Sequence, residues 1–346
     1  MTPGPLEGPG GRCLVTGASG FIGGRVASRL RESGLTVRCL VRGHSDTAAL
    51  ERLGAELVIG DLTDRQSLEQ AAADCDHVVH CAALVSDWAT TEEIHTANVA
   101  GTQNLLTATA AATRLRRFVH ISSTDVYGHP GTPNVEEEQR ATGFANWYAQ
   151  TKREAEDAVV AAHLLHGLPA VVLRPATVYG PGSVDVIGEI ARAIRGRHML
   201  LVERGRSIAG LCFVENVVDA VQLALTHPAA VGEIFNISDG LDISWRQFTA
   251  DLAAGLGAPP PRLSLPFPVA NAIALALEHG YRALRRVTRI RTEPLLSRQA
   301  VQVLGRDQSF SCAKARAHLG WEPRVGYEDG VDQTLAWLRD EYLPAA

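Results

Sequence analysis

The sequence predicts an α/β fold, a doubly wound parallel sheet with a smaller, mostly helical substrate-binding portion toward the C-terminus. Three observations lead there. Short apolar runs such as CLVT at 13–16 and ELVI at 56–59 are continuous and do not alternate, as strands buried on both faces require. Amphipathic stretches of about 10 to 20 residues separate them, and this alternation builds a parallel sheet with helices on both faces. The first run passes directly into a glycine-rich turn and then into helical apolar spacing.

Taken in order, Cys13 to Thr16 is a strand, GASGFIGG follows, and a helix runs through Leu30. Thr36 to Val41 is the second strand. A helical stretch with Leu50 and Leu53, a strand at Glu56 to Ile59 and a helix from about Ser67 come next. The strand His77 to Cys81 precedes a helix from Ile94 to Arg114. Phe118 to Ser122 is a strand, Tyr148 belongs to a long helix ending near His166, and Val171 to Arg174 is the sixth strand. Beyond residue 175 the pattern loosens. Helices are expected at Val184 to Arg195, Val214 to Leu225 and Trp245 to Leu256, with a strand near Gly232 to Ile237. A proline-rich break, PPPRLSLPFP at 259–268, precedes an apolar helix from Val269 to about Val287. The reading divides the chain into a tail (1–11), a dinucleotide-binding part (12–180, with 211–240 packing back onto it) and a substrate-binding part (181–210 and 241–346). The two parts share one core.

Composition narrows the function. The 33 basic and 38 acidic residues leave a net charge of -5, without the basic stripe of a nucleic-acid surface. Only two of the basic residues, Lys152 and Lys314, are lysines. The six cysteines contain no CxxC and read as small core hydrophobes of a reducing compartment. The start, MTPGPLEGPGGR, has no apolar run, so neither a signal peptide nor an anchor is expected. The expectation is a cytoplasmic protein with no integral membrane span.

Chemistry concentrates in two places. Gly17, Ser19, Gly20, Phe21, Ile22 and Gly23 lie between strand and helix, where Gly17 permits a tight turn, Gly20 lets backbone approach a pyrophosphate and Gly23 allows close helix packing. At the end of the second strand, where a carboxylate would bind the ribose of NAD, the chain has Arg42, which suits a 2′-phosphate; the alternative is a solvated arginine. NADP is therefore the expected cofactor, with NAD the other possibility. Asp61 and Leu62 follow a strand and could reach the adenine. His77, His80 and Cys81 share a buried strand with no fourth ligand nearby, and no metal is expected.

The second place is SSTDVYG at 122–128 together with Tyr148 and Lys152. A helix puts positions i and i+4 on one face, so Tyr148 and Lys152 point the same way. A neighbouring ammonium favours the phenolate and is expected to lower the Tyr148 pKa. Tyr148 can then exchange a proton with a carbonyl or alcohol while Ser123 hydrogen-bonds the same oxygen.

With TGASGFIGG, GDLTD, HCAA, NVAGTQNLL, SSTDVYG, YAQTK, LRPATVYGPG and FVENVVDA in this order, the chain resembles an extended short-chain dehydrogenase/reductase of the NAD-dependent epimerase/dehydratase superfamily. The resemblance covers residues 13 to about 225, with a family-like ending at SFSCAKARAHLGWEP. It implies a Rossmann domain, a nicotinamide cofactor, a catalytic set of Ser123, Tyr148 and Lys152, and a homodimer built through helices 94–114 and 148–166. It further implies cofactor contacts from Ala82, Ala83, Asn98, Tyr148, Lys152, Pro175, Thr177 and Val178. Ser86 and Trp88, at and just after HCAALVSD, fall on the family's substrate loop, and Thr124 and Asp125 are expected beside the substrate. Trp88 could equally be core packing.

Within the superfamily the chain departs from two branches. Arg174-Pro175-Ala176-Thr177 stands where UDP-sugar 4-epimerases typically read RYFN, and Ser123-Thr124-Asp125 stands where 4,6-dehydratases carry Thr-Asp-Glu. The LRP form and FNISDGLDISWRQF look more like the 3β-hydroxysteroid dehydrogenase and sterol-4α-carboxylate dehydrogenase branch. Bacterial reductases of lipid-like 3-keto acids also lie near it. The expected partner is thus a small hydrophobic or keto-acid substrate, steroid-like or 3-oxo-acid-like, in a secondary alcohol–ketone interconversion. The alternatives are a nucleotide-sugar epimerase with retained NAD and a non-catalytic nucleotide sensor. The apolar stretch from Leu265 to Leu284 could cover a pocket or touch a membrane, with Arg282, Arg285, Arg286 and Arg289 beside anionic lipid. The plainer expectation is a packed helix with an arginine-bearing solvated face.

Overall fold

A computed structural model describes residues 11–110, 112, 114–287 and 296–345. Its strands are β1 (Arg12–Thr16), β2 (Thr36–Val41), β3 (Glu56–Ile59), β4 (His77–His80), β5 (Arg117–Ile121), β6 (Ala170–Pro175), β7 (Thr177–Tyr179), β8 (Leu200–Val202), β9 (Leu211–Phe213), β10 (Ile234–Ile237) and β11 (Leu263–Leu265). Seven of them form one sheet in the order β10-β6-β5-β4-β1-β2-β3, every neighbouring pair parallel. The fold is the expected Rossmann-type doubly wound sheet.

The continuous apolar runs are explained by what covers each face. On one side, Val15, Val79, Val119 and Leu173 pack with Val26 and Leu30 of the helix Phe21–Glu32 and Val217 and Val221 of the helix Val214–Thr226. On the other, Leu14, Val78 and Phe118 pack with Leu68, Leu105, Leu106 and Val159 from the helices Arg65–Ala72, Gly101–Ala110 and Trp147–His166. Both faces of the central strands are covered, so these need no polar alternate. The edge strand β3 departs from the expectation: it is only half-buried, and Ile59 is exposed.

Several elements differ from expectation. Gly11, placed in the tail, is held in the fold: its carbonyl accepts the Thr36 N–H. The rest of the expected tail, 1–10, lies outside the described residues. The helix expected from Ile94 starts earlier, at Thr91, because Thr90 and Glu93 form a reciprocal capping box. It widens into a π-helical turn at Thr96–Ala100 and continues as Gly101–Ala110. Four three-residue strands went unforeseen: β7 pairs with β9, and β8 with β11. Three residues are too few to show a period.

The apolar helix is Phe267–Val287. It turns Ala270, Ala274, Glu278 and Tyr281 inward and leaves Val269, Ile273, Leu275, Leu277 and Leu284 exposed. The helix is packed as expected, and its exposed side also carries these aliphatic side chains. Arg282 is exposed, whereas the side chains of Arg285 and Arg286 and all of Arg289 lie outside the described residues. Among the described residues no helix is long and apolar enough to cross a membrane.

Candidate active site and cofactor cleft

Strand order reverses between β1 and β4, and in such sheets the ligand crevice opens at the C-terminal strand ends beside the reversal. A cleft of about 760 Å³ lies there. Gly17, Ser19, Gly20, Phe21, Ile22 and Gly23 line it after β1, Arg42 after β2, and Asp61 and Leu62 after β3. Ala82, Ala83 and Val178 complete the set of expected residues that the fold brings to this wall.

The glycine loop has a steric reason at each end. Gly17 adopts φ +71°, and a Cβ there would fall 2.7 Å from the Ala82 nitrogen. A Cβ on Gly23 would fall 2.2 Å from the Gly17 carbonyl oxygen. Gly20 is the N-cap of the helix Phe21–Glu32, so no side chain caps the helix, and its first turn holds no acid. First-turn N–H groups without a capping side chain suit an anion, so these residues fit the pyrophosphate of a dinucleotide. Arg42 is exposed at the cleft edge. Asp61 is held below the usual carboxylate range by the Thr63 N–H, helped by the Thr63 hydroxyl and the positive charge of Arg42 and His44.

The catalytic candidates gather at the end of β5. Ser123 caps the short turn Thr124–Tyr127, its hydroxyl accepting the Asp125 N–H at 3.1 Å. Asn146 caps the helix Trp147–His166 by accepting the Ala149 N–H, which places Tyr148 in the first turn and Lys152 one turn later. The Ser123 side chain acts on the Tyr148 phenol, pulling its pKa down. Lys152 is 3% exposed, and its Nζ donates to the Ile121 carbonyl at 2.5 Å. Burial lowers its pKa from 10.5 to about 8, against the opposing pull of Cys81, Glu156 and Asp125.

The Tyr148 phenol does not follow the sequence argument. Its pKa is raised, first by burial and then by the negative charge of Asp125 and Asp87, with only the Ser123 side chain acting the other way. The ammonium that was to lower it is committed to a strand carbonyl.

A buried network fixes these elements relative to one another. Arg174 on β6 and Glu156, one turn beyond Lys152, form an ion pair in which each side chain is 1% exposed. Glu156 also accepts the Ser122 hydroxyl at 2.8 Å, and Arg174 reaches the Tyr127 hydroxyl at 2.6 Å and the Glu137 carbonyl. The helix carrying Tyr148 and Lys152 is therefore tied to both β5 and β6.

Other expected residues do not line the cleft wall. Asn98 is not at the cleft wall: its Oδ1 accepts the Leu84 N–H, and its Nδ2 donates to the Leu84 carbonyl and the Thr151 hydroxyl. Pro175 closes β6, and the Thr177 N–H is spent on the Gly210 carbonyl. Ser86 accepts the Trp88 and Ala89 N–H groups and so shapes its own loop. Trp88 is buried edge-on against Tyr281 of the apolar helix, ring centroids 4.9 Å apart. Thr124 is buried, and Asp125 lies 3.4 Å from the His129 ring.

Sequence reasoning missed Asp87. Its carboxyl receives the Asn146 amide at 2.8 Å and the Ser297 hydroxyl, which clamps the loop after β4 to the cap of the catalytic helix. Burial raises its pKa. It also missed Val85, Val184 and Val186, which line the cleft while remaining exposed. Val184 and Val186 open a segment read as a helix, and nothing in that spacing shows that its first turn faces the cleft.

Comparison with known proteins agrees with this geometry. Residues 13–238 match the model of the NAD dependent epimerase/dehydratase family. The chain is 34% identical over 325 residues to a 4-hydroxy-2-methyl-3-oxo-4-farnesyl-3,4-dihydroquinoline-1-oxide ketoreductase of Stigmatella aurantiaca, covering 93% of this chain and 95% of the relative. It is 31% identical over 334 residues to a 2-alkyl-3-oxoalkanoate reductase of Stenotrophomonas maltophilia, covering 94% and 98%. The solved structure of MoeE5 in complex with UDP-glucuronic acid and NAD superposes with a TM-score of 0.74 at 26% identity, covering 95% of this chain and 99% of that one. With the glycine cradle, the Ser–Tyr–Lys cluster and these matches together, the chain belongs to the NAD dependent epimerase/dehydratase family and is an oxidoreductase of the extended short-chain type.

Proposed function

We propose that the protein is an NADP-preferring ketoreductase that turns the ketone of a small hydrophobic or 3-oxo-acid-like substrate into a secondary alcohol. One observation carries the reading: Tyr148 and Lys152 stand one turn apart on the helix capped by Asn146, with Ser123 at the end of β5. The names of the ketoreductase and 2-alkyl-3-oxoalkanoate reductase relatives support the substrate class. Arg42 at the cleft edge supports NADP, since a guanidinium pairs with a phosphate through charge-assisted hydrogen bonds.

A bound nicotinamide dinucleotide supplies the hydride. Gly17, Gly20 and Gly23 would cradle its pyrophosphate, Arg42 its 2′-phosphate, and Asp61 and Leu62 its adenine side. Ser123 orients and polarises the substrate oxygen, and Tyr148 delivers the proton to it as negative charge develops. The Lys152 ammonium, buried and fixed on Ile121, keeps positive charge beside the reacting groups. Trp88 and Tyr281 form an aromatic wall behind the loop that begins at Ala82. The same reading takes the protein as a cytoplasmic homodimer, and the exposed Leu164 and Leu165 on the catalytic helix support a second copy there.

The test is cofactor consumption by the purified protein with a 2-alkyl-3-oxoalkanoate, an aromatic ketone, a steroid ketone and a UDP-sugar. Steady NADPH oxidation with one of the ketones is expected. Isomerisation of the UDP-sugar without net cofactor oxidation would replace this reading with the epimerase.

A further inference from the structure

His80 takes no part in the chemistry of Ser123, Tyr148 and Lys152. It ends β4, 1% exposed, in register with Thr16, the residue immediately before the glycine loop. Its Nδ1 lies 2.7 Å from the Thr16 hydroxyl and its Nε2 lies 2.9 Å from the Thr102 hydroxyl. His120 stands 5.3 Å away, equally buried, with neither ring nitrogen partnered among the described residues. The contrast between the two rings makes the placement of His80 specific.

Donor and acceptor accounting then fixes the direction of every bond. The Thr102 hydroxyl has one proton and gives it to the Asn98 carbonyl at 2.6 Å, so towards His80 it can only accept. His80 Nε2 must therefore carry a proton. The Thr16 hydroxyl accepts the Ala82 N–H at 3.3 Å and gives its own proton to Nδ1, which holds the lone pair of the neutral ring. Burial and the charge of Lys152 depress the imidazole pKa to about 3, consistent with that neutral form.

The chain does not stop at Asn98. Asn98 sits in the π-helical turn Thr96–Ala100, a wide turn of the kind often found at functional sites. Its amide grips Leu84 on both backbone groups and reaches the Thr151 hydroxyl at 3.1 Å. Thr151 in turn donates to the Tyr148 carbonyl at 3.0 Å. Ala82 and Leu84 line the cofactor cleft, and Thr151 lies between Tyr148 and Lys152 in the catalytic helix.

We infer that His80 is a positioning residue: as the neutral Nε2–H tautomer it joins the cofactor loop to the turn that grips the catalytic helix, so that cofactor and Tyr148 are held in one register. This rests on the ketoreductase reading for its catalytic consequence, though not for its bonding. The ring is suited to the task because it is rigid, has a donor and an acceptor on opposite sides, and bridges two hydroxyls that no single short side chain spans. A hydrocarbon there would leave the Thr16 hydroxyl proton without an acceptor in a dry core.

The test uses the full chain labelled with ¹⁵N-histidine, the His80 signals being assigned by their loss in His80→Gln. The expected result is a pyrrole-type Nε2 and a pyridine-type Nδ1, unchanged between pH 6 and pH 8. Thr102→Val, which keeps the volume and removes the acceptor, should raise the NADPH Kd and lower kcat, each by about tenfold, with the ketone KM within about twofold. Thr102→Ser should restore both. A protonated Nδ1, a titrating ring, or a folded Thr102→Val with wild-type Kd and kcat would overturn the inference. If Thr102→Val does not fold, the wild-type tautomer decides. A protein that reduces no ketone would sink the proposed function alone, because the tautomer and the cofactor titration still judge the chain.

Discussion

Lys152→Met keeps nearly the same side-chain length and removes its charge. The native ammonium is buried, and burial brings its pKa from 10.5 to about 8. At about 1.4 kcal/mol per pKa unit, keeping this group charged in the folded state costs about 3 kcal/mol at neutral pH. Methionine also forfeits the hydrogen bond to the Ile121 carbonyl, a loss of about 1 kcal/mol. The variant should therefore be catalytically dead yet about 2 kcal/mol more stable than the native protein at pH 7, read from urea unfolding of the cofactor-free forms. The pH dependence has a definite sign. Above pH 8 the folded protein releases this proton, while the unfolded chain keeps it until 10.5, so native stability rises through that window relative to the variant. The gap should close as pH goes from 7 to 10. Titrations not coupled to Lys152 are common to both proteins and cancel in the difference; the buried Cys81 thiol, which loses the lysine's downward pull, titrates still higher in the variant. A gap that stays flat over that range, or a variant less stable at pH 7, would refute the buried-ammonium argument.

Tyr148→Phe should cost at least about a hundredfold in kcat with NADPH affinity within about twofold, and a variant that still turns over would end its role as proton donor. Arg42→Ala should weaken NADPH binding by about tenfold and leave NADH binding unchanged; equal losses would mean the guanidinium does not read the phosphate. Glu156→Gln strips the buried Arg174 of its counter-charge and should lower the unfolding free energy by about 3 kcal/mol in urea titrations. A loss below about 1 kcal/mol would show that the network is not held by charge pairing.

What was legible in the sequence is what local spacing specifies. The glycine loop, the i, i+4 placement of Tyr148 and Lys152, and the buried strands each depend on a few consecutive residues, and the fold places them as expected. The direction of the Tyr148 pKa was not legible, because it depends first on burial by the assembled fold and then on Asp125 and Asp87 arriving from other segments. The fate of Asn98 was hidden for a similar reason. Its motif marks it as a site residue, but only the π-helical turn shows its amide exhausted on Leu84 and Thr151. Trp88 meets Tyr281 only through the path of a helix from the far end of the chain. The aliphatic side chains on the exposed side of that helix escaped because hydrophobic periodicity reports which residues are alike, not which side faces the protein.

The position of β10 has a consequence for how this protein is made and how it can be cut. It is the edge strand of the main sheet, paired to β6, yet β7, β8 and β9 and the helix Val214–Thr226 lie between the two in the chain. During synthesis β6 must wait, one edge open, until more than fifty further residues have emerged. A fragment ending near residue 180 would expose that edge, the Leu173 side of the core and the unpaired backbone of β6 together, a template for pairing with other chains. Residues up to 180 are therefore not a severable module: the last strand of their sheet arrives only with Ile234–Ile237.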